Sequence, residues 1–142
     1  MEVMGLAQAP PAEQNALFES SFLGPKVFFA LGMIESGNDD RGIGRAGEVS
    51  RYQIHPSVWK AYSDSREYQN PELSRQVARQ HWTYLTNYFH ERAGRDPSPF
   101  DMYVLWNTRF GYYARKGFHP ERLPAIVRDR AQRFVNLINR ES

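Results

Sequence analysis

An unbroken apolar run from Val27 to Ile34 (VFFALGMI) constrains the fold of this chain more than any other feature. On a helix the run presents apolar side chains on nearly every face, which is typical of a buried helix and not of one mounted on a surface. Gly24 and Pro25 precede the run, and proline suits the first turn of a helix. The run therefore predicts a central helix that other elements must surround.

The size and composition of the chain fit a single globular domain. It has 142 residues, of which 41% are apolar and 24% are charged, and this balance argues against wholesale disorder. We interpret residues 1–11, which end in two prolines, as a flexible leader and residues 12–142 as the domain. No stretch approaches the roughly 20 apolar residues that a membrane span needs, so we expect no span.

A glycine-rich segment interrupts the helical pattern after the central helix. Residues 37–47 contain four glycines, which exclude a regular helix, and residues 49–54 read as a short strand. The two segments together predict a small glycine-rich β-hairpin insertion in a mainly α domain. Helical signals cover residues 12–23 weakly, then 55–62, 71–93, a segment led by the capping pair Ser98 and Asp101, and 121–139.

Glu35 directly follows the apolar run and is the first candidate for a catalytic group. On a helix it shares a face with Leu31 and Phe28, so its carboxyl group faces apolar surroundings. Desolvation raises the pKa of such a group, which is the condition a general acid needs near neutral pH. The alternative is a solvated residue at a fraying helix end. The helix pattern alone does not decide between the two.

Three motifs in order add to this pattern: Glu35-Ser36, then the segment 44–56 (GRAGEVSRYQIHP), then Leu105-Trp106-Asn107. Their order and spacing resemble those of the lytic transglycosylases of the lysozyme-like superfamily. The resemblance covers roughly residues 27–111, with a weaker echo at 133–138. It implies an α+β lysozyme-like fold and, without a cofactor, cleavage of the MurNAc-GlcNAc β-1,4 bond of peptidoglycan.

The resemblance also implies roles for individual residues. Glu35 would protonate the glycosidic oxygen and then act as the base. Ser36 would orient the substrate or the acid, with a helix-end cap as its alternative role. Gln53 and Asn107 would hydrogen-bond the sugar, with structural hydrogen bonding as their alternative.

Two tyrosines are further candidates for substrate binding. Tyr52 precedes Gln53 in the motif, and Tyr112 belongs to an aromatic and basic cluster that can stack on sugars. The chain departs from the family pattern in several places. Tyr52 follows Arg51 where Leu-Met is usual, Trp106 replaces a Tyr, and Phe134 stands where a Tyr hydroxyl is common.

A second carboxylate would change the reaction. Glycoside hydrolases commonly use two carboxylates, whereas a lytic transglycosylase uses one and closes a 1,6-anhydro ring. Glu48 is the main candidate for a second catalytic residue, and Asp39 and Asp40 are weaker ones. A hydrolytic lysozyme or chitosanase that uses Glu35 and Glu48 therefore stays open, although the Gln53 and Asn107 motifs favour the transglycosylase.

Other classes of function have weaker support. The chain lacks cysteine, its four histidines are dispersed, and no metal site is expected. The arginine residues on the predicted helices are compatible with a catalytically silent module that binds glycan or nucleic acid. The net charge of the chain is only +2, however, and we expect no nucleic-acid partner. The expected partner is peptidoglycan or a related amino-sugar glycan, which implies a periplasmic or extracellular location. The oligomeric state is left open.

Overall fold

The computed structural model describes residues 24–140, and this part of the chain is mainly helical, as predicted. The predicted leader 1–11 and the weak helical signal 12–23 lie outside the described residues. None of the helices within 24–140 combines the length and apolarity needed to cross a bilayer. The helices are α1 (Pro25–Ser36), α2 (Pro56–Lys60), α3 (Pro71–Ala93), α4 (Pro99–Asn107), α5 (Tyr112–Arg115) and α6 (Ala125–Arg140), with a 3-10 turn at Pro120–Arg122.

Local capping chemistry explains where the long helices begin and end. The Asn70 side chain accepts the first free N–H groups of α3, and Gly94 ends that helix in the left-handed region at φ +72°. Ser98 and Asp101 form the expected capping box at the start of α4. The predicted start of the last helix near residue 121 is wrong, because Pro124 keeps the preceding residue extended and α6 begins only after it.

The central helix α1 is buried on one side only. Phe28, Ala30 and Leu31 enter the core, and α1 packs against α6. Phe29 and Met33 are 44% and 42% exposed, so the prediction of a helix surrounded on every face is wrong. The helix ends at Gly37, whose φ of +72° turns the chain out of α1.

The predicted strand over residues 49–54 is also wrong. Val49 and Ile54 pair with each other in an isolated antiparallel bridge, with both N···O distances at 2.9 Å. Ser50 and Gln53 have φ values of +68° and +52°, so the chain between them reverses instead of extending. The Ser50 hydroxyl accepts the backbone N–H of Tyr52 and holds this tight turn. The insertion is therefore a folded loop closed by one bridge.

A buried carboxylate at the start of α4 joins three segments. Asp101 is 2% exposed and accepts hydrogen bonds from Arg95, from Ser98 and from the Tyr113 hydroxyl at 2.7 Å. Burial raises the pKa of this carboxyl group, but the hydrogen bonds together lower it by more than burial raises it. Its pKa therefore lies below the usual value. Asp101 therefore contributes to folding as an anion.

We expect Asp101→Ala to lower the free energy of unfolding by about 3 kcal/mol, because it leaves the Tyr113 hydroxyl and Arg95 without their acceptor. Asp96→Ala is the matched control, since Asp96 is 85% exposed in its pair with His90. That change should cost less than about 1 kcal/mol. Urea unfolding at neutral pH measures both, and equal effects of the two variants would contradict the structural role of Asp101.

Candidate functional site

Glu35 lies in the last turn of α1 with a side chain that is only 7% exposed. Its carboxylate accepts a hydrogen bond from the Tyr103 hydroxyl at 2.5 Å, and Arg130 Nη2 lies 3.5 Å from the same oxygen. The Asn107 side chain lies close enough to this carboxyl group to lower its pKa. Three helices, α1, α4 and α6, thus bring their polar groups to one carboxyl group.

The pKa of Glu35 reflects a balance between burial and these partners. Burial raises the pKa, while the hydrogen bonds and the positive charge of Arg130 lower it, and Tyr103 and Asn107 act in the same direction as Arg130. Burial prevails, so the pKa lies above its ordinary value. The group can therefore keep its proton at a higher pH than a solvated glutamate would.

Tyr103 and Arg130 were not among the site residues expected from the sequence. The Tyr103 ring is fully buried and stacks on Phe134 with centroids 5.2 Å apart. Its hydroxyl donates to Glu35 and accepts from Arg130 at 3.3 and 3.4 Å. Helical spacing was the available signal, because Tyr103 lies four residues before Asn107, and Arg130 four before Phe134.

Ser36 holds the end of α1 against the loop that follows. Its hydroxyl donates to the backbone carbonyl of Arg51 at 2.7 Å and accepts the backbone N–H of Asp39 at 3.0 Å. These contacts correspond to the capping role that was the alternative for Ser36. They place the loop directly beside the turn that carries Glu35.

A helical glycine permits the loop to fold back over α1. A side chain at Gly32 would bring its Cβ to 2.0 Å from Asn38 Oδ1, which no real contact allows. Asn38 itself adopts φ +60°, and its backbone N–H bonds the Gly32 carbonyl at 3.0 Å. The approach that makes a glycine necessary at this position therefore comes from the loop of the chain itself.

Gln53 is used inside the loop. Its side-chain nitrogen donates to the carbonyls of Gly42 and Ser50, both at 3.0 Å. A Cβ at Gly44 would lie 2.5 Å from the Gln53 side-chain oxygen and 2.3 Å from Glu48 Oε1. Both side chains therefore pack around this glycine, and the observed contacts of Gln53 are the structural ones.

The candidates for a second carboxylate make local contacts. Glu48 Oε1 accepts the backbone N–H of Ala46 at 2.9 Å. Among residues 24–140, Glu48 is not one of the groups that shift the pKa of Glu35. Asp40 forms a bidentate pair with Arg51 at 2.7 and 2.9 Å, and Asp39 accepts the backbone N–H two residues further along the chain.

Three further residues expected to bind substrate have different positions. Tyr52 is 2% exposed and packs edge-on against Phe28, so its side chain is not placed to contact a sugar, and that expectation is corrected. Asn107 is exposed and lies beside Glu35, as the motifs implied. Tyr112 begins α5 and is partly buried, with Lys116 Nζ 5.4 Å from its ring centre. The structure thus places Asn107 beside Glu35, whereas it buries the Tyr52 side chain in the core.

Comparison with known proteins supplies no relative. The chain matches no family model, no curated protein and no solved structure at a significant level. Within the described range 24–140, no three His, Cys, Asp or Glu side chains cluster in a way that could hold a metal ion.

We expect Glu35→Gln to be at least as stable as the wild type at pH 7, because the raised pKa means that the fold disfavours the charged carboxylate overall. The pKa of Glu35 in the folded protein lies above its value of about 4.3 in the unfolded chain. Protonation of Glu35 therefore adds its full contribution to the free energy of unfolding only below a pH of about 4.3. This contribution is lost as the pH rises through the folded pKa.

Urea unfolding of both proteins between acidic and neutral pH checks this expectation. The deficit of the wild type relative to Glu35→Gln should shrink on acidification. If the contacts with Tyr103 and Arg130 instead outweighed burial, the glutamine variant would lose about 2 kcal/mol at pH 7, and that result would contradict the assignment.

Proposed function

We propose that this chain is a peptidoglycan-cleaving enzyme, a lytic transglycosylase whose general acid and base is Glu35. The observation that carries the proposal is the buried Glu35 carboxyl group, with a raised pKa, beside Asn107. A proton donor beside an exposed amide suits a glycosidic bond, because the amide can bind a sugar substituent near the oxygen that is protonated. Such a substrate implies action in the periplasm or outside the cell.

The proposed reaction uses one carboxyl group twice. Protonated Glu35 donates its proton to the glycosidic oxygen as the bond from that oxygen to the anomeric carbon breaks. The Glu35 carboxylate then accepts the proton of the 6-hydroxyl of the same sugar, whose oxygen bonds the anomeric carbon and closes the 1,6-anhydro ring. Glu35 ends the cycle protonated, and no water is consumed. The acetamido group of the substrate assists at the anomeric carbon, as the family resemblance implies.

Arg130 and Tyr103 serve the intermediate stage of this cycle. Once Glu35 has lost its proton, the carboxylate is a buried anion, which is costly without partners. The Tyr103 hydroxyl and the Arg130 guanidinium are already in place to stabilise it. Tyr103 thus supplies a hydroxyl group near the acid in this chain, and the Phe134 ring stacks on the ring of Tyr103.

The contacts of the other acidic side chains support the one-carboxylate reaction. A hydrolytic route would need a base or nucleophile across the sugar from Glu35. Glu48 instead accepts a hydrogen bond within its own loop, and Asp40 pairs with Arg51. We therefore favour the transglycosylase over a lysozyme or chitosanase that uses Glu48.

A catalytically silent glycan-binding module is the second candidate. The observation that favours it is Arg130, which stabilises the ionised form of Glu35 and so opposes a role as proton donor. In that case Glu35, Tyr103 and Arg130 would be a polar connection between helices and nothing more. Measurement of cleavage separates the two candidates.

We expect the wild type to solubilise purified peptidoglycan and Glu35→Gln to be at least about a hundredfold slower, because the amide cannot donate the required proton. Glu48→Gln is the matched control and should retain activity with unchanged products. Mass spectrometry of the digest should show 1,6-anhydro ends, which are one water lighter than reducing ends.

The possible outcomes point to different functions. Reducing ends together with an inactive Glu48→Gln would establish the hydrolytic alternative instead. If the folded wild type binds the polymer without cleaving it, the result would support the catalytically silent glycan-binding module. Clearing by Glu35→Gln at the wild-type rate would refute the assignment of the acid.

The pH dependence of cleavage offers a separate test of Arg130. Cleavage needs protonated Glu35, so activity should be present below its pKa and lost as the pH rises through it. Arg130 lowers that pKa. We therefore expect Arg130→Gln to move the alkaline limb of the activity profile to higher pH, while Arg130→Lys, which keeps the charge, stays near the wild type. A limb that moves to lower pH in Arg130→Gln would contradict this role.

A further inference from the structure

A series of aromatic side chains crosses the surface from α3 to the end of α4. His81, Tyr84 and Tyr88 share one face of α3, since they are spaced three and four residues apart. Their rings connect through side chains from outside α3 into one group. We call this group the aromatic band, and its members are Tyr62, His81, Tyr84, Tyr88, Trp106 and Phe110.

The rings of the band lie in contact one after another. The Trp106 and His81 centroids are 5.2 Å apart, and His81 stacks on Tyr84 at 6.4 Å with an interplanar angle of 11°. Phe110 follows at 6.1 Å from Tyr84 and 4.6 Å from Tyr88. These spacings make the band one connected series of rings.

One ring of the band is exposed to solvent, and the band carries no charged side chain at neutral pH. Phe110 is 59% exposed, more than Phe29 at 44%, and the other members are partly buried. Burial lowers the pKa of His81 to about 4, so its ring is neutral, and its Nδ1 lies 2.9 Å from the Tyr62 hydroxyl. The exposed Phe110 ring, which contacts the partly buried Tyr84 and Tyr88 rings, is therefore the part of the band that a ligand can reach.

The band begins next to the candidate catalytic group. Trp106, its first ring, directly precedes Asn107, whose side chain is near enough to Glu35 to lower the pKa of that carboxyl group. The Trp106 Nε1 donates to the Tyr52 carbonyl at 3.0 Å, which fixes the ring between the loop and α3. Neighbouring residues at the end of α4 therefore connect the band to the candidate catalytic group.

We propose that the aromatic band is a carbohydrate subsite, on which amino-sugar rings of the strand bound at Glu35 stack; this inference rests on the proposed function. A pyranose ring has an apolar C–H face and a rim of hydroxyl and acetamido groups. The exposed face of Phe110 matches the apolar face, while the hydroxyl groups of Tyr84 and Tyr88 beside it can bond the rim. The observations select a neutral, flat and polar-edged ligand.

Charge favours a glycan over a single-stranded nucleic acid. Nucleic-acid bases also stack on aromatic rings, but their phosphates require a basic groove that follows the strand. No member of the band carries a charge at neutral pH. Arg92 lies 5.6 Å from the Tyr88 ring centre and Arg109 precedes Phe110 in the chain, so these cations lie at one end of the band and not along it.

Binding to the full-length Glu35→Gln protein tests the subsite without cleavage. Calorimetry would use uncross-linked peptidoglycan strands and a GlcNAc hexamer as probes. Adding Phe110→Ala should weaken binding about tenfold, because a stacked ring is lost. Phe110→Trp should retain affinity. Phe29→Ala is the matched control, since this exposed ring lies on α1, away from the band, and should leave affinity unchanged.

The outcomes separate the subsite from the proposed function. If the wild type does not cleave but binding still depends on Phe110, the proposed function fails and the subsite stands. If the wild type cleaves while Phe110→Ala binds like its parent, the subsite is refuted and the function stands. Failure of the parent to bind either probe overturns the inference. So does Phe110-dependent binding of an oligothymidylate that weakens steeply with salt, which would identify a nucleic-acid ligand.

Discussion

The buried Glu35 carboxyl group is the constraint to which the surrounding structure responds. The apolar run of α1 carries this group to a place where only 7% of its side chain meets solvent. A carboxyl group there must either keep its proton or find donors, because an unpaired buried anion is very costly. Tyr103 from α4 and Arg130 from α6 provide the donors. Three helices thus share one polar centre, and the balance between burial and donors sets its proton affinity.

The loop after α1 lies against the helix end that carries this centre. It contains no strand, and one backbone bridge closes it. Side chains provide hydrogen bonds to the backbone of the loop that a sheet would otherwise provide. The Ser36 hydroxyl connects the loop to the helix end, and the Gln53 amide donates to two carbonyl groups of the loop. Residues that resemble substrate contacts in a motif can therefore also be the residues that build the loop.

Local rules predicted much of the helical framework. The helix predicted over residues 71–93 is present as α3, capped by Asn70 and Gly94, and the Ser98 and Asp101 pair begins α4 as expected, because capping depends on neighbours in the chain. The strand prediction failed because alternation of residue types does not reveal the positive φ values that fold residues 49–54 into a turn. Tyr52 was placed wrongly for a related reason: its side chain turns into the core and not toward a ligand.

By itself, the sequence determined a mainly helical chain, a glycine-rich interruption after the first apolar helix and a carboxyl group at the end of that helix. It also indicated that Glu35 and Asn107 belong together, through the order of their motifs. Only the tertiary structure decided that Tyr103 and Arg130 complete that centre and that Glu48 contacts its own loop. Capping and apolar patterning act between near neighbours, whereas a carboxyl group on one helix meets partners 68 and 95 residues away only through packing.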